Sequence, residues 1–240
     1  MSNPFVAEAY DRLAPTYDGE YQRPANRAED AWVRAALTLI IREAQLLAAL
    51  DRRLPEILDA GCGTGLLIDW LPRVRNGDIQ YVGLDISRGM LDVARRKYPG
   101  QGFYEWDIAD IASFSADTPD LLISLFGPIS YLPGADLEKF ATGMLTVLRP
   151  GGRFFIMALA EGRRRKRGVN VEAHADLWHI RSADTLRAYF ANFEDVKVRG
   201  FSWRPELCPR PAWLSLEART LGVLTPDRCS YLIVTGRKGR

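Results

Sequence analysis

The 240-residue chain is short of several things, and each shortage closes off a class of protein. Its three cysteines, Cys62, Cys208 and Cys229, form no C-x-x-C pair and have no histidine at ligand spacing. Neither a disulfide framework nor a structural zinc site can be read, and a reducing cytoplasm is the expected compartment. Only His174 and His179 are present as histidines. No uncharged apolar run approaches the roughly 20 residues of a membrane span. The most apolar stretch, residues 35–50, carries Arg42, Glu43 and Gln45 and reads as an ordinary helix. The first residues, Met1-Ser2-Asn3-Pro4-Phe5, lack the basic and apolar segments of a secretion signal. Net charge is also small: 32 Lys and Arg against 30 Asp and Glu leave +2, so a polyanion would need a local patch. What remains, 47% hydrophobic and 26% charged residues, is ordinary for a folded protein of one α/β domain with additions.

Short apolar runs alternate with helical stretches through the middle of the chain, the pattern of βαβ units and a parallel sheet. Strands are expected at 57–60, 79–85, 102–106, 120–126, 153–160, 195–201 and 231–235. A short helix at 66–71 should stop at Pro72. Ser87 should cap a helix over 88–98, with Met90, Leu91 and Ala94 on one face and Arg95, Arg96 and Lys97 at its C-terminal end. Further helices are expected at 136–148 and, capped by Ser182, to about residue 192. Residues 1–54 are mostly helical and should form a cover, with acceptor-shaping insertions at about 161–181 and 203–227.

The sharpest motif is Leu58-Asp59-Ala60-Gly61-Cys62-Gly63-Thr64-Gly65 at the exit of the first strand. Three alternating glycines remove every Cβ where the backbone turns, so a ligand can lie against the main chain. A dinucleotide fingerprint would need its third glycine at position 66, which is Leu66, and no P-loop lysine follows. Asp85 ends the second strand, placed to accept from both hydroxyls of a ribose. Asp107 ends the third, placed to accept from an adenine amino group with Ile86 and Met90 covering the base.

Asp59-Ala60-Gly61-Cys62-Gly63-Thr64-Gly65, then Gly83-Leu84-Asp85-Ile86-Ser87, Asp107, Ser124-Leu125-Phe126 and Leu148-Arg149-Pro150-Gly151-Gly152 resemble the class I S-adenosylmethionine-dependent methyltransferases. Tyr10-Asp11-Arg12-Leu13-Ala14-Pro15-Thr16-Tyr17-Asp18 is similar to the cofactor-covering segment of bacterial members. The resemblance implies an α/β, doubly wound, mostly parallel seven-stranded sheet with an antiparallel last strand, and S-adenosylmethionine as cofactor. It implies cofactor contacts at Tyr17, Asp59, Gly61, Cys62, Gly63, Gly65, Asp85, Ile86, Met90, Asp107, Ile108, Ser124 and Leu125.

The acceptor is less legible. Holding donor and acceptor in line can supply about 7–11 kcal/mol without a dedicated catalytic group. Should a base act, His174, His179 and Tyr131 are the candidates. An apolar Leu125-Phe126 entrance favours a small organic acceptor methylated on oxygen or nitrogen over a nucleobase. The run Arg163-Arg164-Arg165-Lys166-Arg167 leaves RNA or protein as the alternative, and a non-catalytic cofactor-binding protein is a third reading. No metal and no membrane are expected, and the chain should be a monomer or homodimer.

Overall fold

The structure is a computed structural model that describes residues 4–21, 24–114, 118–161, 177–201, 226 and 229–240, with the side chains of 20–29 excepted. Seven strands form one sheet in the order β3-β2-β1-β4-β5-β7-β6. They are β1 (Glu56–Ala60), β2 (Gln80–Asp85), β3 (Gly102–Glu105), β4 (Leu121–Ser124), β5 (Arg153–Leu159), β6 (Glu194–Phe201) and β7 (Tyr231–Arg237). Strands β1 to β5 run parallel, and β7 is antiparallel to both β5 and β6. Every residue of the neighbouring central strands β1 and β4 is buried, because helices cover both faces of a parallel sheet.

One face is covered by α3 (Pro24–Leu50), α4 (Leu66–Trp70), α5 (Pro72–Arg75) and α6 (Arg88–Lys97). Helix α3 buries Val33, Leu37, Ile40, Ile41, Ala44 and Ala48, the helical spacing that puts one stripe inward. Each large side chain so buried contributes about 1.5–3 kcal/mol. Trp32 stacks on Phe201 with centroids 4.1 Å apart, and Glu43 pairs with Arg153 at 2.9 Å. The other face is covered by the 3₁₀ helix η1 (Ile108–Ser113), by α7 (Gly134–Val147) and by α8 (Ala183–Tyr189). Two short helices, α1 (Pro4–Leu13) and α2 (Tyr17–Tyr21), and a 3₁₀ turn, η2 (Pro128–Tyr131), complete the described elements.

Several expectations shift in detail. Pro72 does not merely stop a helix: α4 ends at Trp70 and Pro72 opens α5, where its missing N–H costs nothing. Strand β4 stops at Ser124, short of 126, because Phe126 and Gly127 take left-handed backbone with φ 58° and 99°. Within the segment 1–54, α3 packs in the core, and among the described residues α1 and α2 contribute the side chains over the sheet's carboxyl end. Most of the two expected insertions, and with them Arg163 to Arg167, His174 and Cys208, lies outside the described residues.

Candidate active site

Strand order reverses between β1 and β4, and in open α/β sheets the crevice at such a switch point, beyond the strands' carboxyl ends, is where ligands bind. A cavity of about 430 Å³ occupies it. Its walls include Asp59 and the turn after β1, Asp85 and Ile86 after β2, Met90 from α6, Asp107 and Ile108 after β3, Leu125 after β4, and Tyr17 from the cover.

The glycine turn is pinned by the N–H groups of Gly61 and Cys62, which both donate to the Leu84 carbonyl at 2.7 and 2.9 Å. All three glycines have positive φ, yet each has a different neighbour. A Cβ on Gly61 would stand 2.4 Å from Pro128, and one on Gly65 would stand 2.9 Å from the Tyr98 ring. A Cβ on Gly63 would meet nothing within 4 Å. Gly61 and Gly65 are therefore small to admit protein, while Gly63 leaves its space to the cavity. Gly65 does not line it.

Asp85 is held by two backbone donors, the Gly63 N–H at 2.8 Å and the Ser87 N–H at 2.9 Å, one on each oxygen. Each oxygen keeps a second lone pair for a ligand hydroxyl. Burial raises the Asp85 pKa above the ordinary carboxylate value, and the two N–H bonds work against that rise. Asp59 accepts from the Tyr81 hydroxyl at 2.8 Å, and burial pushes its carboxyl up to about 7, with Asp85 adding to the effect. Asp107 caps η1 by accepting from the Ala109 N–H at 3.0 Å. The cavity also has Asp136 on its wall, and among the described residues no Lys, Arg or His lines it. Four carboxylates without a cation suit a positively charged guest. No group of three or more His, Cys, Asp or Glu that could hold a metal occurs among the described residues.

Tyr131 lines the cavity. His179 does not: its side chain is exposed, its backbone N–H donates to the Ser130 carbonyl at 2.7 Å, and partial burial and Arg181 lower its pKa. An imidazole outside the cavity cannot reach an acceptor within it, so the geometry argues against His179 as the base. Ser124 is fully buried but off the cavity wall, and its hydroxyl has no hydrogen-bond partner among the described residues. Phe126 of the expected apolar entrance lines the space, and so do residues to which the sequence assigns no individual role: Phe5 and Tyr10 from α1, Thr64, and Pro128 after β4. The Gly127-Pro128 pair, which reads as a strand breaker, is the available signal for Pro128. The cover is fastened by its own acids. Asp11 accepts from the Ser87 hydroxyl at 2.6 Å and the Gly89 N–H at 2.7 Å, and Asp18 accepts from Thr64 at 2.5 Å and Lys97 at 2.9 Å.

A seven-stranded sheet with one antiparallel strand, and a glycine turn flanked by strand-end acids, define a nucleoside-binding α/β protein of the methyltransferase kind. Residues 57–152 match the model of the methyltransferase domain family. The chain is 25% identical over 177 residues to the ubiquinone/menaquinone biosynthesis C-methyltransferase UbiE of Campylobacter jejuni, covering 72% of this chain and 70% of that protein. It is 28% identical over 204 residues to the malonyl-[acyl-carrier protein] O-methyltransferase of Serratia marcescens, covering 84% and 68%. Among solved structures, it superposes on an S-adenosylmethionine-dependent methyltransferase from Archaeoglobus fulgidus with TM-score 0.57 at 14% identity, over 92% of this chain and 98% of that one. The methyltransferase domain at residues 57–152 and these relatives support a class I S-adenosylmethionine-dependent methyltransferase, with S-adenosylmethionine as its cofactor.

Proposed function

We propose that the enzyme transfers the methyl group to an oxygen or nitrogen of a small organic acceptor, of the kind met in specialised metabolism. In this reading Asp85 holds the ribose and Asp107 the adenine between Ile86, Met90 and Ile108. The Gly61-Cys62-Gly63 turn and Asp59 take the methionine end beneath Tyr17, and Leu125 stands beside the sulfonium. The observation that carries it is the set of acids at three successive strand ends around a glycine whose Cβ space is open, with no cationic side chain among the described lining residues. S-adenosylmethionine supplies a methyl group on a positively charged sulfonium. The chain's part is to attract that cation, exclude water with the cover and hold the acceptor in line, which can provide most of the rate without a strong base. Tyr131 is the acceptor-side residue within the cavity.

A cavity lined by carboxylates disfavours an anionic acceptor, since like charges in a poorly solvated space repel. The two curated relatives are named for transfer to carbon and to oxygen, so the atom methylated is not carried over from either. No helix among the described residues is long and apolar enough to cross a membrane. The test is calorimetry with S-adenosylmethionine, followed by a search for metabolites that gain one methyl in a host extract. Binding that survives Asp85→Ala undiminished would end the site assignment, and methylation confined to RNA or protein would end the acceptor assignment.

A further inference from the structure

Trp178 lies outside the cavity wall but touches it through one bond. Its indole Nε1–H donates to the Tyr131 hydroxyl at 3.0 Å, and both residues are buried. The Tyr131 hydroxyl lies 3.0 Å from the hydroxyl of Tyr10 on α1, in a bond across 121 residues of sequence, with the rings edge to face at 5.8 Å. An indole only donates, so Tyr131 accepts from Trp178, while either hydroxyl can supply the hydrogen between the two tyrosines. The chain from Trp178 to Tyr10 therefore runs from the segment after β5, through the exit of β4, to the cover.

The segment carrying Trp178 is zipped to η2 at further points. The His179 N–H donates to the Ser130 carbonyl at 2.7 Å, and Arg181 donates to the Leu132 carbonyl at 2.5 Å. The Ser130 hydroxyl in turn accepts from the Leu159 N–H of β5 at 2.8 Å. Residues 177–181 and η2 thus form one unit that presents the Tyr131 ring. One residue further along the same helical turn, Asp11 ties α1 to the start of α6. Adjacent residues of α1 fasten it to both walls, the cofactor wall through Asp11 and the acceptor wall through Tyr10.

We propose that Trp178 is a positioning residue for methyl transfer: by fixing the Tyr131 hydroxyl it sets the acceptor-side fastening of α1, so that the cover shuts over the cofactor only when residues 177–181 are seated on η2. This rests on the placement of the cofactor in this cavity. Tyr10 stays neutral, because burial raises its pKa well above the ordinary phenol value, and it acts as a tie rather than as a base. The arrangement makes the acceptor side a partner in cofactor retention: a molecule that displaces residues 177–181 loosens the cover as well.

The test uses the full chain with S-adenosylmethionine and S-adenosylhomocysteine as probes. Stopped-flow release from Trp178→Phe, Tyr131→Phe and Tyr10→Phe should be about fivefold to tenfold faster than from the unaltered protein, the scale of one lost buried hydrogen bond. Trp178→Phe combined with Tyr131→Phe should release no faster than the quicker single variant, because both cut the same chain. In spectra of protein labelled with ¹⁵N-tryptophan, the Trp178 indole N–H signal should move on Tyr131→Phe, which a purely space-filling ring would not show. Should Trp178→Phe fail to fold, Tyr10→Phe reads the same tie from its other end. Release at the unaltered rate in both Tyr10→Phe and Tyr131→Phe, or additive effects in the double variant, would overturn the inference while leaving the cofactor site standing. Failure of the unaltered protein to bind either probe would overturn both.

Discussion

The two ends of the sheet both bury carboxylates, and they treat them in opposite ways. At the amino end Asp120, 1% exposed, is gripped by both terminal nitrogens of Arg53, accepts from the Glu56 N–H at 3.0 Å, and has Arg149 3.5 Å away. At the carboxyl end, among the described residues, the buried Asp59 accepts from a phenol and the half-buried Asp85 from backbone N–H groups, all of them neutral donors. Removing a charge from water is costly unless a counter-charge and hydrogen bonds compensate. The chain completes that compensation for Asp120 and leaves it incomplete for Asp59 and Asp85. On the proposed reading, Asp59 gains its counter-charge from the cofactor and Asp85 its remaining hydrogen bonds from the ribose.

The contrast can be broken from either side. Asp120→Ala should have the largest effect, lowering stability by about 3–5 kcal/mol, because the buried Glu56 N–H loses its acceptor, Arg149 loses its carboxylate and Arg53 is left with the exposed Asp51. Chemical denaturation measures it, and S-adenosylmethionine affinity of the folded protein should hardly change. Asp85→Asn should do the reverse: stability holds or rises, while affinity falls roughly tenfold to a hundredfold for the loss of charge-assisted bonds to the ribose. If Asp85→Asn unfolds the protein as readily as Asp120→Ala does, the two ends are not distinguished by function.

The glycines sharpen the same point at smaller scale. Gly61→Ala should destabilise by about 2–4 kcal/mol, combining left-handed strain with overlap on Pro128. Gly63→Ala, with open space around its Cβ, should cost only about 1–2 kcal/mol in stability yet weaken cofactor binding further than its strain explains. Equal loss of affinity per unit of stability in the two variants would refute the division of roles.

These contrasts bear on what the sequence makes legible. The glycine turn, the strand-end acids and the alternating elements are local patterns, dictated by periodicity and by backbone geometry within a few residues, and the structure reproduces them. Tyr10 against Tyr131, Asp11 against Ser87 and Asp18 against Thr64 join residues far apart in sequence, and a polar contact between distant surfaces leaves no periodic trace. His179 is a candidate base by residue type, as one of two histidines in the chain. Its placement is set by a backbone bond to Ser130, which its side-chain chemistry gave no means to foresee. Phe126 hides its left-handed backbone behind a side chain that fits an apolar strand.

Asp59 offers a reading in pH. Its carboxyl is pushed up to about 7 in the folded chain, against about 4 for an exposed aspartate. Between those values the folded state binds one more proton than the unfolded state, so this contribution makes stability fall as pH rises through that window and level off above it. The span corresponds to at most about 4 kcal/mol, and Asp59→Asn should flatten that part of the profile. A bound cation beside Asp59 favours its ionised form, so cofactor binding should tighten as pH rises towards 8 and release protons near neutrality. Calorimetry in two buffers of different ionisation enthalpy measures that release, and none from the unaltered protein would separate Asp59 from the cofactor's charge.

The smallest expected change tests an acid-free part of the same end. Ser124 has a fully buried hydroxyl with no partner among the described residues, and it faces the interior at the last position of β4 rather than the cavity. A hydroxyl in that position costs free energy on folding, so Ser124→Ala should leave stability unchanged or raise it by up to about 1–2 kcal/mol, with cofactor affinity intact. The family resemblance points the other way, placing Ser124 beside the sulfonium. A clear loss of S-adenosylmethionine affinity in Ser124→Ala would mean that β4 turns this hydroxyl towards the cofactor on binding. The carboxyl end would then adapt to its guest, where the amino end around Asp120 is already complete.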